Sequence, residues 1–361
     1  MSRCGIITGA GLITPLGSSV EQTWSSLLAG QFIRDHARVP LQSARQSRVH
    51  RLGLTAAREA IAQAGWSDFE LSDPRTALTI GTSKGPVESW LNGDPIGSIH
   101  DFGLSELSAG LARELGHGAG PRSTLSAACA SGIHALIHAV LLIRSGAADR
   151  ALVVAAEASV HPMFIGSFKR LGVLPAEGVG CRPFDHDRDG FLISEAAAAV
   201  CIESSETSRG IAVIDRFALG GDAVHLTGGD PQGRTLKYLL GHVVDGRPVD
   251  LIHAHATGTL FHDPIELRAI ESTVFQTDPR PIVYSHKGAL GHSLGAAGLV
   301  AVVLNCQSHR TGIIPGNVQT RRALPTDHVA IASDPTARPV RRSVALAAGF
   351  GGAMGAVSLV S

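Results

Sequence analysis

Short runs of β-branched and small apolar residues recur along the chain, each followed by an alanine-rich stretch with helical spacing. A buried strand reads as a continuous apolar run and a covering helix as a 3.6-residue stripe, so this alternation prescribes α/β layers. Strands are expected at 5–8, 77–81, 151–157, 196–202, 211–219, 251–255, 282–285, 344–348 and 353–360. Helices are expected at 20–28, 53–64, 105–115, 131–145, 264–271 and 296–307. Apolar residues make up 44% of the 361 but aromatics only 4%, so Ala, Val, Leu and Ile must fill the interior. The 42 glycines predict close backbone approaches between stacked layers.

A faint echo runs through the pattern. Residues 129–146 read as a Gly-containing turn and an apolar helix, followed by a strand at 150–156. Residues 292–307 repeat the turn and helix, and a strand at 342–348 follows. Two pseudo-repeated halves, 1–207 with a nucleophile and 208–361 with two histidines, are the expected organisation, with the polar stretch Ser204–Gly210 as junction. Lys plus Arg and Asp plus Glu both number 31, which argues against a nucleic-acid or membrane-surface field. Between Arg34 and Arg51, however, five arginines face one acid, a candidate docking patch for an acidic partner. Five scattered cysteines without CxxC spacing argue against a disulfide framework or structural zinc and make a reducing cytoplasm the expected setting. No apolar run approaches the ~20 residues that cross a bilayer.

Cys129 lies in Ser126-Ala-Ala-Cys129-Ala-Ser-Gly132, at the turn into an apolar helix. Small neighbours would admit a substrate, and the helix start would favour a thiolate and lower the thiol pKa. A small buried cysteine at a helix start fits the same residues. Cys4, Cys181, Cys201 and Cys306 fall in strand, loop or helix contexts where they fill space. His255 ends an apolar run before Ala-Thr-Gly-Thr259, where α/β enzymes place ligands, and His253 lies deeper on the same face as a core histidine. His292, in Lys287-Gly-Ala-Leu-Gly-His292, precedes a second helix whose dipole would keep its imidazole neutral and able to donate to an oxyanion. Asp263-Pro264-Ile265-Glu266 reads as an N-cap and first helical turn that could also aim two carboxylates at Lys287. Gly349-Phe350-Gly351-Gly352 is a turn between two strands. In its functional reading the turn gives an oxyanion donor beside Cys129, and Phe350 forms a movable wall.

In order and spacing these segments resemble the β-ketoacyl synthase family. They are GIITGAGLITPLG, SAACASG at Cys129, CRPFDHDRDGF at 181–191, HAHATGT with DPIE at 253–266, KGALGH at 287–292 and GFGG at 349–352. The resemblance implies a thiolase-like fold, five-layered αβαβα, usually dimeric. It implies Cys129 as nucleophile, His255 and His292 as the histidine pair and Lys287 as the supporting lysine. Asp263 and Glu266 match the acids that hold the lysine, and Phe350 matches the gating residue. Arg45, Arg48 and Arg51 fall near the surface that binds the acyl carrier protein in relatives. The implied reaction is decarboxylative Claisen condensation of an acyl thioester with a malonyl-carrier thioester. Its substrates ride on the phosphopantetheine of the carrier protein, with no separate cofactor and no metal.

Some positions depart from the family pattern. Ala256 replaces a glycine after the histidine, and Ser194-Glu195-Ala196 replaces a Gly-Glu-Gly. The stretch before Cys129 is also short. These changes keep open an alternative, a chain-length-factor-like partner subunit in a heterodimer with a ketosynthase.

Overall fold

The computed structural model describes residues 5–42, 46–87, 103–204 and 210–361. The expected boundary at 207/208 falls within 205–209, outside the described residues. In the first half the chain forms β1 (Gly5–Ile13), α1 (Val20–Leu28), α2 (Arg48–Ala64), α3 (Asp68–Ser72), β2 (Thr76–Gly81), α4 (Leu104–Leu115), β3 (Arg122–Leu125), α5 (Ser131–Arg144), β4 (Arg150–Glu157), α6 (Pro162–Arg170) and β5 (Ala196–Ser204). The second half forms β6 (Ala212–Gly221), α7 (Arg234–Val244), β7 (Leu251–His253), α8 (His262–Glu271), β8 (Ile282–Tyr284), α9 (Lys287–Leu290), α10 (Ala297–Thr311), β9 (Ile313–Ile314), β10 (Thr336–Ala337), β11 (Arg342–Ala348) and β12 (Ala353–Val360).

The main strands run in the order β3-β2-β4-β5-β1-β6-β12-β11-β7-β8. Read inward from either edge, each half has the same plan. In the first, β3, β2 and β4 are parallel, and β5 and β1 follow antiparallel. In the second, β8, β7 and β11 are parallel, and β12 and β6 follow antiparallel. The halves join where Gly5–Ile7 pairs with Ala212–Ile214. The expected pseudo-repeat is therefore present, with α5–β4 matched by α10–β11.

Layering follows from side-chain size. Strand β5 opens Ala-Ala-Ala-Ala-Val, all buried, so helices can lie close on it. α5 and α10 form the middle layer, burying Ile133, Leu136, Val140, Leu299, Val300 and Val303 in one cluster shared by strands of both halves. They touch through glycine. A Cβ on Gly132 would lie 2.9 Å from the Leu299 nitrogen, and one on Gly298 would lie 2.6 Å from an Ile133 side-chain carbon. A second cluster packs α2 and α4 on the outer face of the first half, and a third packs α7 and α8 on that of the second. The result is αβαβα, with the C-terminal ends of the central parallel strands and the starts of α5 and α10 meeting at one place.

Candidate active site

Between β3 and α5 the chain makes a tight turn in which Ala128 takes a positive φ of 47°. For a non-glycine residue this costs on the order of 1–3 kcal/mol, and surrounding structure must hold it. Ser131 supplies part of the hold: its Oγ accepts from the Ala127 N–H (2.9 Å) and donates to the Ala128 carbonyl (2.6 Å). The turn presents Cys129, half-buried, two residues before the helix. The thiolate expected from the helix start is not the resting form. Burial pushes the Cys129 thiol up to about 11, outweighing the opposing fields of Lys84 and Lys287 and a hydrogen bond from the Phe350 backbone.

The turn at Gly349–Gly352 is a β11–β12 hairpin and a wall of the site at once. The Gly349 N–H donates to Ala353 (2.8 Å), and a Cβ there would sit 2.8 Å from the Ala127 carbonyl and 3.0 Å from the Cys129 nitrogen. Only hydrogen at that position lets the hairpin approach the Cys129 turn. Phe350 then packs against Phe168, with ring centroids 6.1 Å apart.

His255 stands two residues beyond β7, in a loop pinned by carboxylates. Glu266 accepts from the His255 and Ala256 N–H groups (2.6 and 2.7 Å). Asp263 accepts from Gly258 (3.1 Å), Thr259 (3.3 Å) and Phe184 (2.8 Å). Helix α8 begins at His262, so Asp263 is in the first turn and Phe261 is the N-cap, in contrast to the expected cap at 263. The carboxylates hydrogen-bond to backbone N–H groups without a direct ion pair to Lys287, and it is through their fields, Glu266 first, that they favour its charged form. Burial raises Asp263 to about 6 and Glu266 to about 7, against those hydrogen bonds. Lys287 is buried, its ammonium donates to the His255 carbonyl, and burial lowers it to about 8.

His292 is fixed by strand-like pairing. Its N–H donates to Leu192 (2.7 Å), and its carbonyl accepts from Ser194 (3.1 Å). It precedes α10 by five residues, so burial first and Lys287 second, in place of a helix dipole, keep the ring neutral. His253 is the core histidine expected. The Asn305 amide donates to Val344 (3.2 Å), leaving its oxygen for His253 Nδ1 (2.9 Å), and His253 Nε2 then accepts from His286 Nδ1 (2.8 Å).

Cys129, His255, His292 and Phe350 line one cavity, with about 880 Å³ of free space including its open mouth. The His255 and His292 rings lie 5.4 Å apart, and the Nδ1 atom of each is buried without a partner. Phe191 stands edge-on to His292 at 5.0 Å, and Phe168 continues the row at 5.6 Å from Phe191. Sequence reasoning missed His262, Thr257 and Thr259, which line the same cavity. The available signal was their place between His255 and Glu266.

The arginines separate. Arg45 lies outside the described residues. Arg48 differs from a free docking cation: its guanidinium holds both oxygens of Glu195 (3.1 and 2.6 Å) and the Val39 carbonyl (2.7 Å). Glu195 is 1% exposed and also accepts from the Val39 N–H, so this ion pair ties α2 to the loop before β5. Arg51 lies on the first turn of α2, half-buried. Cys181, Cys201 and Cys306 are buried free thiols, and Cys4 lies outside the described residues. No described helix is long and apolar enough to cross a membrane.

Comparisons with known proteins agree on one family. The profile "Beta-ketoacyl synthase, N-terminal domain" matches residues 36–208, and "Beta-ketoacyl synthase, C-terminal domain" matches 211–321. A relative from Mycobacterium leprae, "3-oxoacyl-[acyl-carrier-protein] synthase 2", is 28% identical over 398 aligned positions, covering 96% of this chain and 94% of the relative. A protein of the same name from Coxiella burnetii is 28% identical, covering 87% of each. Among solved structures, "The ishigamide ketosynthase/chain length factor" superposes with a TM-score of 0.89 at 26% identity over the whole of both chains. A type II polyketide ketosynthase in complex with its acyl-carrier protein gives 0.90 at 22% identity over the same full coverage, a likeness of fold.

Proposed function

Since the chain belongs to the β-ketoacyl synthase family, we propose that it joins acyl units by decarboxylative Claisen condensation, with Cys129 as nucleophile. The observation that carries the residue roles is the convergence of Cys129, His255 and His292 on one cavity from turns far apart in the chain. In the first half-reaction the Cys129 sulfur, losing its proton, attacks an acyl thioester and the carrier thiol leaves. Oxyanion stabilisation falls to the N–H groups of Cys129 and Phe350, each such donor being worth ~2.7–4 kcal/mol in comparable sites. In the second, His255 and His292 donate to the carbonyl of a malonyl thioester. Breaking the bond to its carboxylate releases CO₂ and leaves an enolate, whose carbon attacks acyl-Cys129 and frees the thiolate. Neutral rings suit this work: each can donate one N–H to the developing charge, and burial keeps them neutral.

Lys287, Glu266 and Asp263 act through position, holding the His255 loop by its backbone. Phe350, next to Phe168, is the side chain placed to gate the apolar end. Substrates arrive on the phosphopantetheine of an acyl carrier protein, with no separate cofactor, in the cytoplasm. The carrier is assigned to the surface around Arg51 at the start of α2, with Arg48 held on Glu195 as a strut, and Arg45 is kept as a contact on the sequence resemblance alone. The partner subunit is a second copy or a related ketosynthase-like chain. The presence of a turn built for Cys129 favours catalysis over the chain-length-factor reading. Intact mass of the purified chain after incubation with an acyl-carrier thioester tests both. One acyl adduct, absent from Cys129→Ala, is expected. A chain that never acylates on its own supports the partner-subunit reading, and an adduct surviving Cys129→Ala overturns the nucleophile.

A further inference from the structure

Four ring contacts order the cavity from one end to the other. Phe168 meets Phe191 at 5.6 Å, Phe191 meets His292 at 5.0 Å, His292 meets His255 at 5.4 Å, and His255 meets His262 at 5.4 Å. The row begins apolar and ends polar. His262 is its last member, the first residue of α8, and both of its ring nitrogens are buried without a hydrogen-bond partner. Glu266 lies 3.7 Å from Nδ1, too far for a hydrogen bond, and is already engaged by two backbone N–H groups. The side chain is 21% exposed at the cavity while both nitrogens are covered, so a turn of the ring brings an unsatisfied N–H to a ligand.

We propose that His262 recognises the free carboxylate of the extender thioester, one step along the row from the ring that holds its thioester carbonyl. The assignment rests on the condensing reading above and adds a residue to it. A malonyl unit carries two carbonyl groups joined by one methylene. Placing the thioester oxygen at His255 and His292 brings the carboxylate either toward the phenylalanines or toward His262. A carboxylate is acceptor-only and costly to desolvate against Phe191 and Phe168, whereas the ring of His262 can donate. The acyl chain on Cys129 takes the apolar end instead.

Strength matters as much as place. His262 is kept neutral mainly by burial, with Asp263 opposing and Lys287 reinforcing. It can therefore give the carboxylate one uncharged N–H. A full cation would hold the anion more tightly before reaction than during it and slow the loss of CO₂. As the bond to the methylene breaks, its electron pair passes to the enolate held by His255 and His292, and CO₂ leaves without charge. His262 then has nothing to retain.

The test measures the two half-reactions separately on the full chain. Acylation of Cys129 is followed by intact mass with an acyl N-acetylcysteamine thioester, and condensation is followed with malonyl carrier protein. His262→Ala should acylate within about twofold of the native rate yet raise KM for the malonyl carrier about tenfold, the loss expected for one hydrogen bond to a charged group. His262→Asn, which keeps an N–H, should recover part of that loss. A measurement needing no variant uses two non-hydrolysable thioether analogues: the native chain should bind the malonyl form about tenfold more tightly than an acetonyl form lacking the carboxylate. Equal binding of the two, an unchanged malonyl KM in His262→Ala, or a matching loss of acylation would overturn the assignment. Failure of the native chain to acylate Cys129 would instead sink the condensing reading, and is distinguished by appearing in the first half-reaction.

Discussion

At Cys129 two demands compete. For the proposed chemistry the turn must expose a sulfur to substrate, and Ala128 is held at φ 47° by the Ser131 hydroxyl. The cavity must also exclude water to strengthen its hydrogen bonds, and that same exclusion disfavours a thiolate. The second demand sets the resting state, with the thiol pushed up to about 11. Below that value the thiolate fraction climbs about tenfold per pH unit, so alkylation of Cys129 by iodoacetamide should accelerate roughly a thousandfold from pH 7 to pH 10. A rate that levels off near pH 8 would show an ordinary or activated thiol and contradict the burial argument. The motif around Cys129 was legible in sequence, as were the histidines and Lys287. The direction of the thiol's pKa was not, because helix position is local and burial depends on Phe350, Phe168 and Phe191 arriving from elsewhere.

Elements with a clean apolar period were found close to their true bounds. α1 spans Val20–Leu28 as expected, and β12 spans Ala353–Val360. Strand β3 escaped because Arg-Ser-Thr-Leu is short, partly exposed and without an apolar run. Helix α7 was overlooked for a different reason: Leu236, Leu239, Leu240, Val243 and Val244 do form a helical stripe, but Gly233 and polar neighbours resemble a loop. Contact between α5 and α10 is the element-scale feature that sequence leaves silent. Gly132→Ala would place a Cβ 2.9 Å from the Leu299 nitrogen and 3.2 Å from the Ala155 side chain. Backbone cannot yield there as a side-chain tip could, so overpacking should cost about 1–3 kcal/mol. A urea midpoint unchanged from the native protein would show that the two helices have slack. Because the start of α5 carries the Cys129 turn, the same variant should also acylate more slowly.

Among the described residues burial pushes nine histidines below the usual range: His253 to about 3, His309 to about 4, His255, His286 and His292 well below it, and His36, His117, His134 and His262 in the same direction. On unfolding below about pH 6.5 each takes up a proton the folded chain refuses, so stability rises with pH through the window from about 3 to 6.5. Asp263 and Glu266 act oppositely. They keep protons in the folded state to about 6 and 7, so their contribution is lost as pH rises through those values. Each group contributes up to about 1.4 kcal/mol per pH unit inside its window, and the nine imidazoles outweigh the three carboxyls raised by burial, Asp263, Glu266 and Glu59. The urea midpoint should therefore be higher at pH 6.5 than at pH 5. A midpoint flat or falling over that range would mean the imidazoles are hydrated or charged in the native protein.

By itself the sequence determined the layered α/β plan and the doubled order of strand and helix, and it singled out Cys129, His255, His292 and Lys287 as the candidate set. Each of these is written in local spacing or in short motifs that fold as units. Tertiary structure alone decided that Arg48 is held by Glu195, that the carboxylates hydrogen-bond to backbone N–H groups and reach Lys287 only through their fields, and that His262 lines the cavity. A side chain's partner is set by which surfaces meet when the layers stack, and residues 48 and 195, or 255 and 292, come together only at that stage.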